Sequence, residues 1–544
     1  VRSARALPLA LLAASACAPS EAEAPAFAFS EVAREAGLVF RTTSGGTPSR
    51  EIVEVKGGGL ALLDADEDGD LDVFVPNGAT MEAPRAGPGC RYFANESAGG
   101  ELRFRDATDE SGLTFRGWGI GVAVGDANGD GHDDLFVTCF GPNALLVGDG
   151  QGHFRDASAE SNASGADVWS AASAFGDLDR DGDLELYVAN YLRFDLAQPP
   201  PYSSFKNAPV FTGPIGLPPE PDVLLENTGA GRFRDISEVS GVRAVAPAFG
   251  LGALALDFDE DGWLDVYVGN DSTPNFLWVN RGKLHFEERG ARGGLAYNVD
   301  GMAQSTMGIA VGDVDGSGRP SLFTSNFSND TNTLHVNRGG NLFDDLTRSF
   351  GLGMVSFPYV GWATSFLDLD LDGDEDLLVF NGHVYPNATM AAMDAGYAEP
   401  ALLFAREGER FVHVAEPPAA LAEPHVDRGA AFGDLDRDGD LDALVLELNG
   451  PLRLLRNDAA SGSWLVVALD PPALGAKLVL SADGRRYTRW IYSGGSFLSA
   501  SAQEAHFGLP RGTAAVELSV LWPDGTQRTF SDVRPGQHLI VTRE

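Results

Sequence analysis

Basic side chains are few in this 544-residue chain. Lys and Arg total 39 against 78 Asp and Glu, a formal net charge of −39. Phosphate binding needs clustered Lys and Arg, so nucleic acid is excluded as a partner. Cysteine is nearly absent, at three residues. Cys17 belongs to a leader segment treated below, which leaves Cys90 and Cys139. Two thiols in an exported protein can form a disulfide, but spacing alone leaves the pairing of Cys90 with Cys139 open. After the leader no apolar run approaches the ~18 residues of a membrane-spanning helix. Apolar content is nonetheless ordinary for a globular protein, at 44%.

What the chain has in abundance is one acidic loop of nine residues, present seven times and holding 33 of the 78 acids. The first copy places Asp64, Asp66, Asp68 and Asp72 at positions one, three, five and nine, with Gly69 at six and Asp70 at seven. The second has Asp126, Asn128, Asp130 and Asp134, with His132 at seven. The third has Asp177, Asp179, Asp181 and Glu185, with Asp183 at seven. The fourth has Asp257, Asp259, Asp261 and Asp265, with Trp263 at seven. The sixth has Asp368, Asp370, Asp372 and Asp376, with Asp374 at seven. The seventh has Asp434, Asp436, Asp438 and Asp442, with Asp440 at seven. The fifth departs from the rest, with Asp313 and Asp315 but Ser317 and Ser321, and Arg319 at seven.

Oxygens at positions one, three, five and nine converge when glycine at six turns the chain sharply. That set suits a hard cation with many oxygen ligands at about 2.3–2.6 Å, which is calcium. Position seven offers its backbone carbonyl. Carboxylates packed this closely repel one another without a cation. Loop five keeps only two carboxylates, so it is expected to be weak or empty, leaving about six Ca2+ sites. The loops are not EF-hands, which need a bidentate Glu at position twelve and a following helix. Here position twelve is Val75, Val137, Val188, Val268, Thr324, Val379 and Val445, so a strand follows.

Each loop has the same neighbours. A strand of small residues precedes it, as in 121–125, 308–312 and 429–433. A β-branched strand follows, then a third strand, a Gly-rich turn and a fourth strand that opens on Phe. Four strands per repeat is the pattern of a propeller. Phe29, Phe104, Phe154, Phe233, Phe286, Phe343 and Phe411 each precede a loop, and nothing comparable follows the seventh. The spare strand near 26–32 therefore completes the last repeat, and the predicted fold is an all-β, seven-bladed propeller. A row of separate hairpins or a linear solenoid would leave edges exposed at both ends. Insertions at Pro76–Gly89, Leu196–Pro221 and Pro386–Glu399 are where a binding surface is expected. The region 461–544 lacks the repeat and reads as a small β-sandwich-like domain, with hairpin turns at Asp483-Gly484 and Asp524-Gly525.

The first residues read as an export leader: Arg2 and Arg5, then apolar 6–16, then Ala14, Ser15 and Ala16 before Cys17. Small residues running into a cysteine resemble a bacterial lipoprotein cleavage site, with Cys17 lipidated. A secretory signal that happens to contain a cysteine is the alternative. The expected organisation is a leader over 1–16, a linker over 17–25, the propeller over 26–460 and the β domain over 461–544. A lipid anchor would hold the protein in the bacterial envelope, at the outer membrane, with the ectodomain periplasmic or at the cell surface.

The repeats resemble FG-GAP/VCBS blades of the integrin α type. The segments 269–276, 381–386 and 428–434, with 494–499, 506–509 and 522–525, resemble a narrower group, the cartilage-acidic-protein-like family, whose C-terminal module is called ASPIC/UnbV. The resemblance implies a calcium-loaded extracellular propeller and no established ligand. The expected function is a surface binding or adhesion module for a glycan or a protein, with the membrane reached only through the lipid anchor. Alternatives are a calcium-dependent polysaccharide lyase or hydrolase, and a structural subunit of an envelope complex. An enzyme needs acid, base and charge-stabilising groups in one cleft. The best candidates are His383, His425, Asp427 and Arg428, which turn and packing roles explain as well. No catalytic residue is assigned.

Overall fold

Every acidic loop joins two antiparallel strands in the computed structural model, which describes residues 27–389, 395–459 and 462–543. The leader and Cys17 lie outside the described residues. Sheet one comprises Ala61–Leu63, Asp72–Val75, Arg91–Asn95 and Phe104–Asp106. Sheets two to six repeat this order: small-residue strand, β-branched strand, third strand, Phe-led strand. Sheet seven contains Asp427–Gly433, Asp442–Glu447 and Leu452–Asn457. Its fourth strand is Phe29–Glu31 from the other end of the chain, with Phe29 opposite Asn457 and Glu31 opposite Leu455. Among the described residues there are thus seven such sheets, and the spare Phe-led strand completes the last.

The innermost strands pack against their neighbours, and that of sheet seven also contacts that of sheet one. Residues there are small because the strands crowd toward a common axis. Gly121, for example, has no room for a Cβ, which would lie 2.7 Å from the Ala171 carbonyl oxygen of the next sheet. The architecture is all-β and propeller-like.

The C-terminal region forms two further sheets. One holds Ser463–Asp470, Glu504–Leu509 and Gln537–Thr542; the other holds Lys477–Ala482, Arg485–Trp490, Val516–Leu521 and Gln527–Val533. Leu465, Val467, Leu478, Leu480, Phe507 and Leu518 form the apolar core between them.

From this module the stretch 493–502 reaches into the axis and touches all seven sheets. The Ser493 hydroxyl accepts from the Phe175 N–H of sheet three at 3.1 Å. Gly494 pairs with Leu254 of sheet four, and Ser496 exchanges backbone hydrogen bonds with Ile309 of sheet five. Phe497 packs edge-on against Trp362 of sheet six, with ring centroids 4.7 Å apart. The Ser496 hydroxyl donates to the Ala430 carbonyl of sheet seven at 2.7 Å. The Leu498 carbonyl accepts from Val122 of sheet two, and Ala500 exchanges hydrogen bonds with Leu60 and Leu62 of sheet one. Gly494 has φ 89°, and a Cβ there would sit 2.0 Å from the Ala253 carbonyl oxygen, so glycine is required on both counts.

Candidate metal centres

The seven loops share one backbone geometry. The position-one carboxylate accepts the N–H of the position-six glycine in all of them. The distances are 3.0 Å for Asp64–Gly69, 2.9 Å for Asp126–Gly131 and 3.3 Å for Asp177–Gly182. They are 2.8 Å for Asp257–Gly262, 3.0 Å for Asp313–Gly318, 2.9 Å for Asp368–Gly373 and 3.0 Å for Asp434–Gly439. Each of these glycines has positive φ, between 75° and 102°, which turns the side chains of positions one to five toward one point.

Among the described residues, carboxylate oxygens from three residues gather within 4.8 Å in five loops. The sets are Asp64, Asp66 and Asp68; Asp177, Asp179 and Glu185; Asp257, Asp259 and Asp265; Asp368, Asp370 and Asp372; and Asp434, Asp436 and Asp438. Several oxygens of these sets are buried with no hydrogen-bond partner, Oδ1 of Asp66, Asp257, Asp370 and Asp436 and Oδ2 of Asp265, as are Oδ1 of Asp70 and Asp440 at position seven. A buried carboxylate oxygen without a donor is costly unless a cation answers it. The residues present therefore fit a hard divalent ion.

Loops two and five differ. In loop two the Asn128 amide donates to Asp130 Oδ2 at 2.9 Å, and three carboxylates do not converge. In loop five Asp315 lies 3.6 Å from Arg338, and the Ser321 hydroxyl oxygen accepts the Asn337 N–H at 3.2 Å. Of the position-seven residues, Asp70, Asp183, Trp263, Asp374 and Asp440 each donate their N–H to the position-five carboxylate, as does His132. Arg319 donates to the Ser317 hydroxyl instead.

Burial pushes the position-nine carboxyls up: Asp72 to about 7, Asp134 to about 8, and Glu185 and Asp376 to about 9. Asp265 and Asp442 move the same way for the same reason. Burial and then the charges of Asp438 and Asp442 push Asp440 to about 10.

Position nine also ties the loop to the rest of its sheet. Asp72 accepts the Asn95 N–H at 2.7 Å, Asp265 the Asn280 N–H at 2.8 Å, and Asp442 the Asn457 N–H at 2.9 Å. These asparagines, absent from the sequence reading, link neighbouring sheets. The Asn280 amide donates to Leu264 O in its own loop and to Leu178 O in the loop of sheet three. Asn95 reaches Leu435 O, Asn227 reaches Ala127 O, Asn337 reaches Phe258 O and Asn457 reaches Leu369 O. The two sheets that lack the asparagine substitute another donor. Arg406 Nη2 donates to Val314 O at 2.7 Å, and the Gly152 N–H donates to Ala65 O at 2.9 Å. Every position-two carbonyl is thus held by the following sheet. The recurring Asn at the end of the third strand was the available signal.

The C-terminal module covers part of this face. His538 Nε2 lies 2.8 Å from Asp434 Oδ2, Lys477 Nζ donates to Glu260 at 2.8 Å, and Arg485 pairs with Asp374.

The four residues weighed for catalysis do not form an acid–base set. Asp427 is buried against Arg453 Nη1 at 3.0 Å. The Arg428 guanidinium donates to the carbonyls of Val55, Gly382, Asp427 and His383. His383 Nδ1 accepts the Tyr385 N–H at 3.0 Å, and His425 lies 3.6 Å from Glu447. Cys90 and Cys139 are both buried free thiols, and burial pushes Cys90 up to about 12. No helix among the described residues is long and apolar enough to cross a membrane.

Family models match two parts of the chain: "ASPIC and UnbV" over 467–544, and "FG-GAP-like repeat" over 126–188 and 257–324. Cartilage acidic protein 1 of Mus musculus is 25% identical over 499 residues, covering 86% of this chain and 70% of its own length. The Homo sapiens protein is also 25% identical, with 86% and 69% covered. Among solved structures, an Agrocybe aegerita lectin, described for recognition of non-reducing terminal N-acetylglucosamine, is 13% identical with a TM-score of 0.40, covering 71% of this chain and 88% of its own.

Proposed function

We propose, for this FG-GAP-repeat protein with an ASPIC/UnbV domain and homology to cartilage acidic protein 1, a calcium-dependent binding module that engages a glycan or a protein. The observation that carries the calcium part is the convergence of three carboxylates in five loops, four of which also hold buried carboxylate oxygens without a hydrogen-bond partner. Calcium would neutralise those carboxylates and hold the turn between the two inner strands of each sheet. Asp64, Asp66, Asp68 and Asp72 would hold it in the first loop, with the matching residues in loops three, four, six and seven. Loop two offers a poorer set and loop five the poorest.

FG-GAP-repeat and ASPIC/UnbV families are not typical enzymes, which supports binding over turnover. The strongly acidic charge would repel polyanions. Lipidation at Cys17, as expected from the sequence, would tether the module to a membrane. A glycan and peptide array probed with the calcium-loaded full chain tests the reading. Retention of a specific set of ligands, released by chelator, is the expected result. A calcium-loaded, folded chain that retains nothing on either array would contradict it.

A further inference from the structure

Three of the segments that carried the narrower family resemblance meet at the end of the axis away from the acidic loops. Asp271 and Ser272 come from 269–276, His383 and Tyr385 from 381–386, and Arg428 opens 428–434. Each lies at the strand end opposite its loop. The insertion of sheet three folds over them as a hairpin, Ser203–Phe205 with Ala208–Val210. Asp271, Ser272 and Tyr385, with Phe211 just after the hairpin, line a cavity of about 100 Å3.

Its floor is an ion pair. Lys56 Nζ lies 3.2 Å from Asp271 Oδ2, and both side chains are buried. The Tyr191 hydroxyl donates to the same oxygen at 2.6 Å, and the Ser272 hydroxyl to the other at 2.9 Å. Burial raises Asp271, but the Lys56 charge and these hydrogen bonds outweigh it and leave the carboxyl below its usual range. Ser272 is held at φ 60°, an uncommon conformation for a non-glycine residue, and shares a 2.8 Å hydrogen bond with Ser305. The walls are aromatic. Tyr385 packs on Phe211 with centroids 5.0 Å apart and on Phe327 at 6.2 Å. Ser272, Ser305 and Phe327 are half-buried at the rim.

Hydrogen-bonding capacity is left over. Among the described residues the Lys56 ammonium makes one hydrogen bond, with the Tyr191 ring 4.6 Å and the Trp362 ring 5.6 Å away, and the Tyr385 hydroxyl makes none. Lys56 and Asp271 are the charged side chains in the cavity lining and their charges cancel, and the nearby Arg428 guanidinium is spent on backbone carbonyls, so a charged ligand would enter without a counter-charge in the lining and lose its solvation. A neutral ligand with several hydroxyls and one apolar face would use the spare donors and acceptors and stack on the aromatic wall. The cavity admits one small ring, not an extended chain.

We infer that this cavity is a binding site for a single neutral pyranose, with Lys56, Ser305 and Tyr385 hydrogen-bonding its hydroxyls and Phe211 or Tyr385 stacking on its face. The inference rests on the binding-module reading and names the class of ligand it takes. The test is titration of the full chain with methyl glycosides of neutral hexoses, with hexuronic acids as charged comparators, followed by saturation-transfer NMR. At least one neutral glycoside should bind. Tyr385→Phe, which keeps the packing, should weaken it about three- to tenfold, and Ser305→Ala by a similar factor. Tyr297→Phe, at an exposed site, should leave it unchanged. Absence of transfer to every neutral glycoside, tighter binding of a uronic acid, or affinity untouched by Tyr385→Phe and Ser305→Ala would each overturn the assignment. Array ligands, glycan or peptide, that survive both substitutions would overturn it too, while leaving the broader binding reading intact.

Discussion

At the scale of the residue, the loops were legible because their chemistry is local. Asp at positions one, three, five and nine with glycine at six dictates convergence, and all seven glycines sit at positive φ. Two details were not legible. The amide of Asn128 turns onto Asp130, a choice that spacing does not reveal. Asn280 and its counterparts read as ordinary strand ends, because their second partner lies in another sheet, as far away as Leu178. Replacing Asn280 with Ala leaves the Leu178 and Leu264 carbonyls without that donor. The expected loss is about 1–3 kcal/mol, read by chemical denaturation, and a neutral result would mean that this link between sheets carries no stability. Titration supplies a second residue-level outcome. The position-nine carboxyls are raised above their unfolded values near 4, so without metal the protonated form stabilises the fold. That stability is complete at low pH and is lost as pH rises through about 7 to 9. His383 and His506 are lowered to about 4 by burial and stay neutral above pH 7 in both states. Chelated protein should therefore melt lower at pH 9 than at pH 7. Calcium-loaded protein should not, because the ion replaces the proton.

At the scale of the element, the opening strand and the axial stretch are held very differently. Phe29–Glu31 was legible because a spare Phe-led strand stood before the first loop and none followed the last. Its pairing with Leu455–Asn457 completes sheet seven. Removing residues 26–44 exposes that edge, so the truncated chain should self-associate or lose stability, as sedimentation and melting would record. An equally stable monomer would contradict the closure. The run 494–499 was visible as a motif, but its insertion into the axis was not. Two glycines and two serines do not mark a buried segment, and only the contacts of 493–502 with seven separate sheets give them their role. Phe497 is fully buried against Trp362. Phe497→Ala should cost about 3–5 kcal/mol and loosen both regions together.

At the scale of the whole molecule, the acidic charge and the loop geometry describe one system. A net charge of −39 is a burden on a compact fold, and five loops concentrate carboxylates on the face where the C-terminal module rests. His538, Lys477 and Arg485 meet that face from the module. Docking and ion binding should therefore stabilise each other. Composition pointed to the cation; the coupling to the module depends on contacts between residues as far apart as Asp434 and His538, which no local pattern carries. The most direct measurement is a calorimetric melt of the full chain at pH 7 with calcium and with chelator. A large calcium-dependent rise in melting temperature is expected, with both regions unfolding together when loaded. Superimposable melts with and without calcium would contradict it.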